Sequence, residues 1–167
     1  MRLARIFPYF CEMKNVNKRT ELKKRLRMAC LETQQRLADI TRTAMLQAQE
    51  SANEERGAME DRFESFREQC QINRDMYAKQ LQEILTNLLI VQKMDANRTS
   101  DAVTFGTVAI TDTHAFFISI GIGELKVKGK NYFALSTSSP LFKAMSGKKA
   151  EETFPFQGKI QRILEVY

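Results

Sequence analysis

From about Lys18 to Ser51 no glycine or proline interrupts the chain, and apolar or small residues recur at Leu22, Leu26, Ala29, Thr33, Leu37, Ile40, Ala44 and Ala48. Steps of three and four make one stripe on an α-helix. A second run, from about Ala58 to Met94, carries the same period at Met59, Phe63, Phe66, Cys70, Tyr77, Leu81, Ile84, Leu88 and Val91, with Asn73 interrupting the seam. Two helices of this length are each about 50 Å long. The link between them, Ser51 to Gly57, is short, and short links make neighbouring helices antiparallel. Either stripe alone is too narrow to bury its helix in a globular core, but each covers the other when paired. Residues 18–94 are therefore expected to form an antiparallel coiled-coil hairpin with its tip near residues 51–60. A helical bundle completed by a dimer partner is the alternative.

After the polar linker Asp95 to Ser100 the period drops to two. Val103–Ile110 and Ala115–Ile120 alternate and are rich in β-branched and aromatic residues, with the turn residues Asp112 and Thr113 between them. Tyr132–Ser136 and Lys159–Tyr167 read as two further strands. Between these, Ser139 is a helix N-cap, Pro140 fits the first helical position and Gly147 fits a C-terminal stop. The expectation for 101–167 is an antiparallel sheet of four or five strands with one short helix, so the fold class is α+β.

Charge sharpens this division. The net charge of +6 favours acidic partners, but its placement says more. Residues 14–28 carry Lys14, Lys18, Arg19, Lys23, Lys24, Arg25 and Arg27 against Glu21 alone. Residues 50–64 carry Glu50, Glu54, Glu55, Glu60, Asp61 and Glu64 against Arg56 and Arg62. The acids cluster at the expected tip and the bases at the opposite end. The basic run reads either as a solvated helix face or as a surface that approaches nucleic acid.

Cys11, Cys30 and Cys70 have neither metal-ligand spacing nor an even count, which points to a reduced, cytoplasmic compartment. No run approaches the length of a membrane helix. Residues 1–17 read as a poorly ordered N-terminal extension. Met1–Cys11 is too short and interrupted for a secretory signal, and Met13 is read as the true first residue; the other reading is a short segment that docks on the body. The single histidine, His114, sits at a turn with no partner pattern. Ser136, Ser138 and Ser139 lack a nucleophile elbow. Gly121 and Gly123 suit a strand bend or bulge better than a phosphate loop. No catalytic constellation, intrinsic metal site or cofactor site emerges, and an autonomous enzyme ranks last.

The segment Ser138-Ser-Pro-Leu-Phe-Lys-Ala-Met-Ser-Gly-Lys-Lys149 resembles the C-terminal signature of the Gre family of bacterial transcription elongation factors: a Ser-Pro, a short helix, Gly-Lys and a strand. Glu151-Glu152 and Ile163-Leu-Glu-Val166 resemble the acidic turn and last strand that follow, and Val103–Val108 resembles the family's first strand. With a hairpin ahead of it, the likeness covers roughly residues 18–167. It implies an FKBP-like C-terminal domain without prolyl isomerase activity, docked on the rim of the secondary channel of bacterial RNA polymerase, here through Ser139, Pro140, Lys143, Lys148 and Lys149. It also implies a monomer whose hairpin enters the channel, in indirect contact with the RNA and DNA of the elongation complex and away from any membrane. Acids at the family's tip help to hold a Mg²⁺ shared with the polymerase active site; Mg²⁺ prefers carboxylate oxygens. By this resemblance the chain is not an enzyme and at most stimulates the intrinsic RNA cleavage activity of the polymerase.

At the tip the sequence departs from the family. The usual Asp-Leu followed two residues later by Glu-Asn-Ala-Glu-Tyr is replaced by Glu50-Ser-Ala-Asn-Glu-Glu-Arg-Gly-Ala-Met-Glu-Asp-Arg-Phe63, and alignment through Arg67-Glu68-Gln69 puts Arg56 and Met59 where the two acids belong. The candidates for metal contact are instead Glu54, Glu55, Glu60 and Asp61, and both transcript cleavage and cleavage-inactive regulation stay open. The other function class is a structural interaction module that dimerises through its coiled coil.

Overall fold

The computed structural model describes residues 6–54 and 60–167, and side chains over 16–53 and 64–167. The chain is α+β. Two long helices, α1 (Ile6–Glu54) and α2 (Glu60–Gln92), precede six strands: β1 (Val108–Thr111), β2 (Ala115–Ser119), β3 (Gly123–Val127), β4 (Lys130–Ser136), β5 (Thr153–Phe156) and β6 (Lys159–Val166). A short helix, α3 (Pro140–Met145), lies between β4 and β5. Helix α1 begins at Ile6, inside the segment read from sequence as an extension. The chain divides into two compact units: Leu31–Gln92, and Lys93–Tyr167 together with the described part of Met1–Cys30. The second unit thus includes the start of α1 as well as the sheet.

In the helical unit α1 and α2 pack together. Arg74 Nη1 donates to Gln49 Oε1 at 3.3 Å, while Leu31 and Gln35 stand beside Leu88 and Gln92. Numbers that rise along α1 fall along α2, so the pair is antiparallel. The stripe expected on α2 holds from Cys70 onward: Cys70, Leu88 and Val91 are buried, and Tyr77, Leu81 and Ile84 half-buried. On α1 the expected seam is displaced. The buried residues are Gln34, Ala38 and Thr41, whereas Leu37 is 41% exposed and Ile40 59% exposed. Periodicity picks out the largest apolar side chains, but a two-helix contact selects those that let the backbones approach, and Ala38 and Thr41 do that better than Leu37 and Ile40.

The sheet has six strands in the order β3-β4-β2-β1-β6-β5, and β2 pairs with β4 in parallel. It is therefore mixed, not the antiparallel sheet of four or five strands expected from sequence. Strands β3 and β5 are the additions. Each reaches its partner through two residues with left-handed backbone, Lys128-Gly129 (φ 51° and 74°) and Gln157-Gly158 (φ 52° and 75°). Such turns match strand twist and form two-residue hairpins. The first expected strand is shorter than 103–110, since only Val108–Thr111 pairs. Val103 is held in a loop, exchanging hydrogen bonds with Gly147 and Lys148.

Both faces of the sheet are covered. On one, Val103, Ala109, Phe116, Ile118, Phe154 and Ile163 form a core with Met145 of α3. On the other, Phe117 and Ser119 point away from that core and are also buried. There the start of α1 contributes Lys23, Leu26 and Cys30, all buried, and Cys30 Sγ lies 3.8 Å from Ser119 Oγ. Burial pushes the Cys30 thiol up to about 11. A register shift between β1 and β6 passes from the Ile110–Glu165 pair to Thr111–Ile163, leaving Leu164 over. This bulge resets the alternation: Ile163 and Val166 both join the α3-side core, while Glu165 and Tyr167 turn to the α1 side.

The seam assignment separates two adjacent substitutions. Ala38→Asp places a charge at a position 1% exposed and is expected to cost on the order of 3 kcal/mol, visible as a lower thermal midpoint in circular dichroism. Leu37→Asp is expected to cost about 1 kcal/mol or less. The reverse order would place the seam back on Leu37.

Candidate functional site

Helix α1 ends at Glu54 and α2 begins with Glu60 and Asp61, so the acid-rich stretch read from sequence falls at these two helix ends. Glu55 lies outside the described residues, as do the side chains of Glu54, Glu60 and Asp61, so no geometry is assigned to them. Among the described residues, no group of three or more His, Cys, Asp or Glu could hold a metal ion.

The five docking candidates fall on one continuous segment of the sheet unit. Ser139 caps α3 as the sequence predicts: its side chain accepts a hydrogen bond from Phe142 N at 3.1 Å, and Pro140 occupies the first turn. Gly147, at φ 74°, ends the helix in the left-handed region that glycine tolerates. Behind it Val103 N donates to Lys148 O at 2.8 Å and Gly147 N donates to Val103 O at 2.9 Å. These bonds tie the segment to a fully buried residue and leave Lys148 half-buried. Pro140, Lys143 and Lys149 are exposed.

The two exposed lysines differ electrostatically. Lys149 Nζ donates to Asp101 Oδ2 at 2.6 Å, and Lys149 N donates to Glu152 Oε2 at 2.5 Å. The hydrogen bond and charge of Lys149 hold the Asp101 carboxyl below the usual carboxylate range, and Asp101 in turn raises the Lys149 ammonium. Lys143 stands in the last turn of α3, where a cation suits the helix dipole.

The basic run of α1 is not a uniform solvated face. Arg25 pairs with Glu21 at 3.0 Å one turn away, which contributes little at such exposure. Arg19 pairs with Glu165 and lays its guanidinium 5.1 Å from the centroid of the Tyr167 ring. Lys23 is 2% exposed, and its ammonium donates to the backbone carbonyl of Arg98. Burial lowers its pKa below the ordinary lysine value, against the opposing charge of Asp95. Beside these residues opens a cleft of about 540 Å³, whose wall includes Val16, Thr20, Thr99, Val166 and Tyr167. Sequence reading missed it because it took Leu22 as the apolar position and Lys23 as solvated. The three- and seven-residue steps from Lys23 to Leu26 and Cys30 were the available signal.

His114, read from sequence as a surface residue, is exposed with its ring edge-on to Phe133 at 5.1 Å. Among the described residues, no helix is long and apolar enough to cross a membrane. Compared with known proteins, the chain matches no family model, no curated protein and no solved structure.

The Lys149–Asp101 pair makes a pH prediction. Asp101 should titrate below an ordinary aspartate, and Lys149→Met should move its midpoint upward, as followed by carboxyl ¹³C chemical shift. A depressed folded value means that the native state keeps this carboxylate ionised where the unfolded chain protonates it. The associated stability is present above the ordinary aspartate value and lost as pH falls through the folded one. An unchanged Asp101 midpoint in Lys149→Met would remove the pair from the docking segment's electrostatics.

Proposed function

We propose that the chain is a regulatory factor that binds bacterial RNA polymerase at its secondary channel, as the Gre family does. In this reading the sheet unit is the anchor, with an FKBP-like identity, and the acidic end of the helical pair is the effector. The observation that carries the reading is the segment from Ser139 to Lys149. A Ser-capped, Pro-started helix leads into Gly147-Lys148-Lys149, is pinned to the sheet unit through Val103, and presents Pro140, Lys143 and Lys149 to solvent. Rigid attachment with exposed cations is what an anchor to an acidic protein surface needs. An antiparallel helical pair with carboxylates at its connecting end supports the effector half. Alone, the tip binds Mg²⁺ feebly, because the ion keeps its waters and wants near-octahedral oxygen ligands. It acts by completing a site that the polymerase begins, in the cytoplasm and without catalytic groups of its own.

A second reading, a module that dimerises through its helices, draws on the exposed Leu37, Ile40, Leu85 and Leu89 of the helical unit. Light scattering on the purified chain separates the two, since a stable dimer through these helices would block entry to a narrow channel.

The decisive experiment is co-purification with bacterial RNA polymerase core, followed by an assay on backtracked complexes at several Mg²⁺ concentrations. Wild type is expected to bind and to change the rate of transcript cleavage, upward or downward. Lys143→Glu is expected to weaken binding and its salt dependence. Changing Glu54, Glu55 and Glu60 to Gln and Asp61 to Asn together should leave folding and binding nearly intact while abolishing the effect on cleavage. Full effect with a neutral tip would reduce the acid cluster to a solvated turn, and failure to bind polymerase would remove the reading altogether.

A further inference from the structure

We propose that the cleft at the start of α1 is a binding site for a small organic oxyanion, a phosphate or carboxylate carried on an apolar body. The inference begins with Lys23. A side chain 2% exposed that carries an ammonium requires compensation, because burying an ionised group without a partner costs more than most single interactions return. The compensation within the protein is partial. One N–H of the ammonium meets the Arg98 carbonyl, and Asp95 acts only through its charge. Asp101, the acid of the cleft wall, is paired with Lys149, and Glu165 is paired with Arg19. An ammonium has three donors, so Lys23 keeps donor capacity and positive charge at the cleft wall with no carboxylate bonded to it.

The rest of the lining selects the ligand's class. Thr20 and Thr99 bring hydroxyls that can donate to an oxyanion. Ser100 is less available, because its Oγ already donates to Ala102 O at 2.9 Å. Arg19 also lines the cleft, its charge offset by Glu165 and its guanidinium laid over the Tyr167 ring. The lining also includes Val16, Val166 and Tyr167, which suit an apolar body. A cation is disfavoured beside Lys23 and Arg19, and a neutral molecule leaves the buried charge uncompensated. The cleft volume of about 540 Å³ falls within the range of small-molecule sites. Lys23 is thus more than a clamp on the chain that follows α2; it sets the sign of what enters. The site meets the Ser139–Lys149 segment only where Lys149 holds Asp101 of the cleft wall, and its test needs no polymerase, so the two readings can fail separately.

The test is calorimetric titration of the full-length protein with phenyl phosphate, benzoate, inorganic phosphate and benzyl alcohol, with thermal melts in parallel. Saturable binding of phenyl phosphate or benzoate is expected, with inorganic phosphate weaker by about tenfold for lack of the apolar contact, and no binding of the neutral alcohol. The stronger of the first two identifies the anionic group. Lys23→Met keeps the stem and removes the charge, and should lower affinity at least tenfold. If that variant does not fold, Thr99→Val at the cleft rim provides the second arm, with an expected several-fold loss. Absence of saturable binding by either anion, undiminished affinity in a folded Lys23→Met or in Thr99→Val, or equal binding of benzyl alcohol would each overturn the proposal.

Discussion

Much of the structure follows from one constraint: the sheet is apolar on both faces, and the strands' own connections cover only one. In β2, Phe116 and Ile118 turn toward α3 while Phe117 and Ser119 turn the other way, and all four are buried. A six-residue helix cannot serve both sides. The second face is met by the first part of α1, where Lys23, Leu26 and Cys30 form a buried stripe and Cys30 lies against Ser119. That demand explains why the compact sheet unit includes the described part of Met1–Cys30 along with Lys93–Tyr167. It also explains why a lysine is buried in the most basic stretch of the chain.

The elements legible in the sequence were those whose signals are local. Ser139, Pro140 and Gly147 mark α3 because capping depends on a few neighbouring residues. Alternation locates β2 and most of β6, and the α2 stripe from Cys70 to Val91 follows from its period. The losses are also physical. Strands β3 and β5 end in Lys-Gly and Gln-Gly turns, which lack the Asn or Asp that marks a hairpin most strongly. The parallel β2–β4 pair depends on where the β3 hairpin folds back, which no short window records. On α1 the expected stripe holds at the buried Leu26 and the half-buried Ala44 and Ala48, but it slips by one residue in the middle, where Ala38 and Thr41 fit between the helices better than Leu37 and Ile40.

The candidate sites divide along the same line. The Ser139–Lys149 segment was readable as a motif, and the structure adds its attachment through Val103 and the partial neutralisation of Lys149 by Asp101. The acid cluster of residues 50–64 is a feature of composition alone. The α1 wall of the cleft had a local signal in the steps from Lys23 to Leu26 and Cys30, but its other wall needs the β6 bulge at Leu164, which no local pattern marks. Without that extra residue Glu165 and Tyr167 would not face Arg19, and the charge pattern of residues 14–28 would look like an ordinary wet helix surface.

The pairing of Arg19 with Glu165 spans 146 residues of sequence, and this distance has a kinetic consequence. Helix α1 leaves the ribosome long before the strand that will receive it, and its stripe must wait beside a nascent chain that has no sheet to cover. Local helix formation is fast, whereas closing so long a loop is slow and leaves apolar surface uncovered meanwhile. The helical pair, with nearby partners, matures first, and the sheet unit last. Late completion leaves the apolar stripe at the start of α1 uncovered for longer during synthesis than a helix whose partner follows at once.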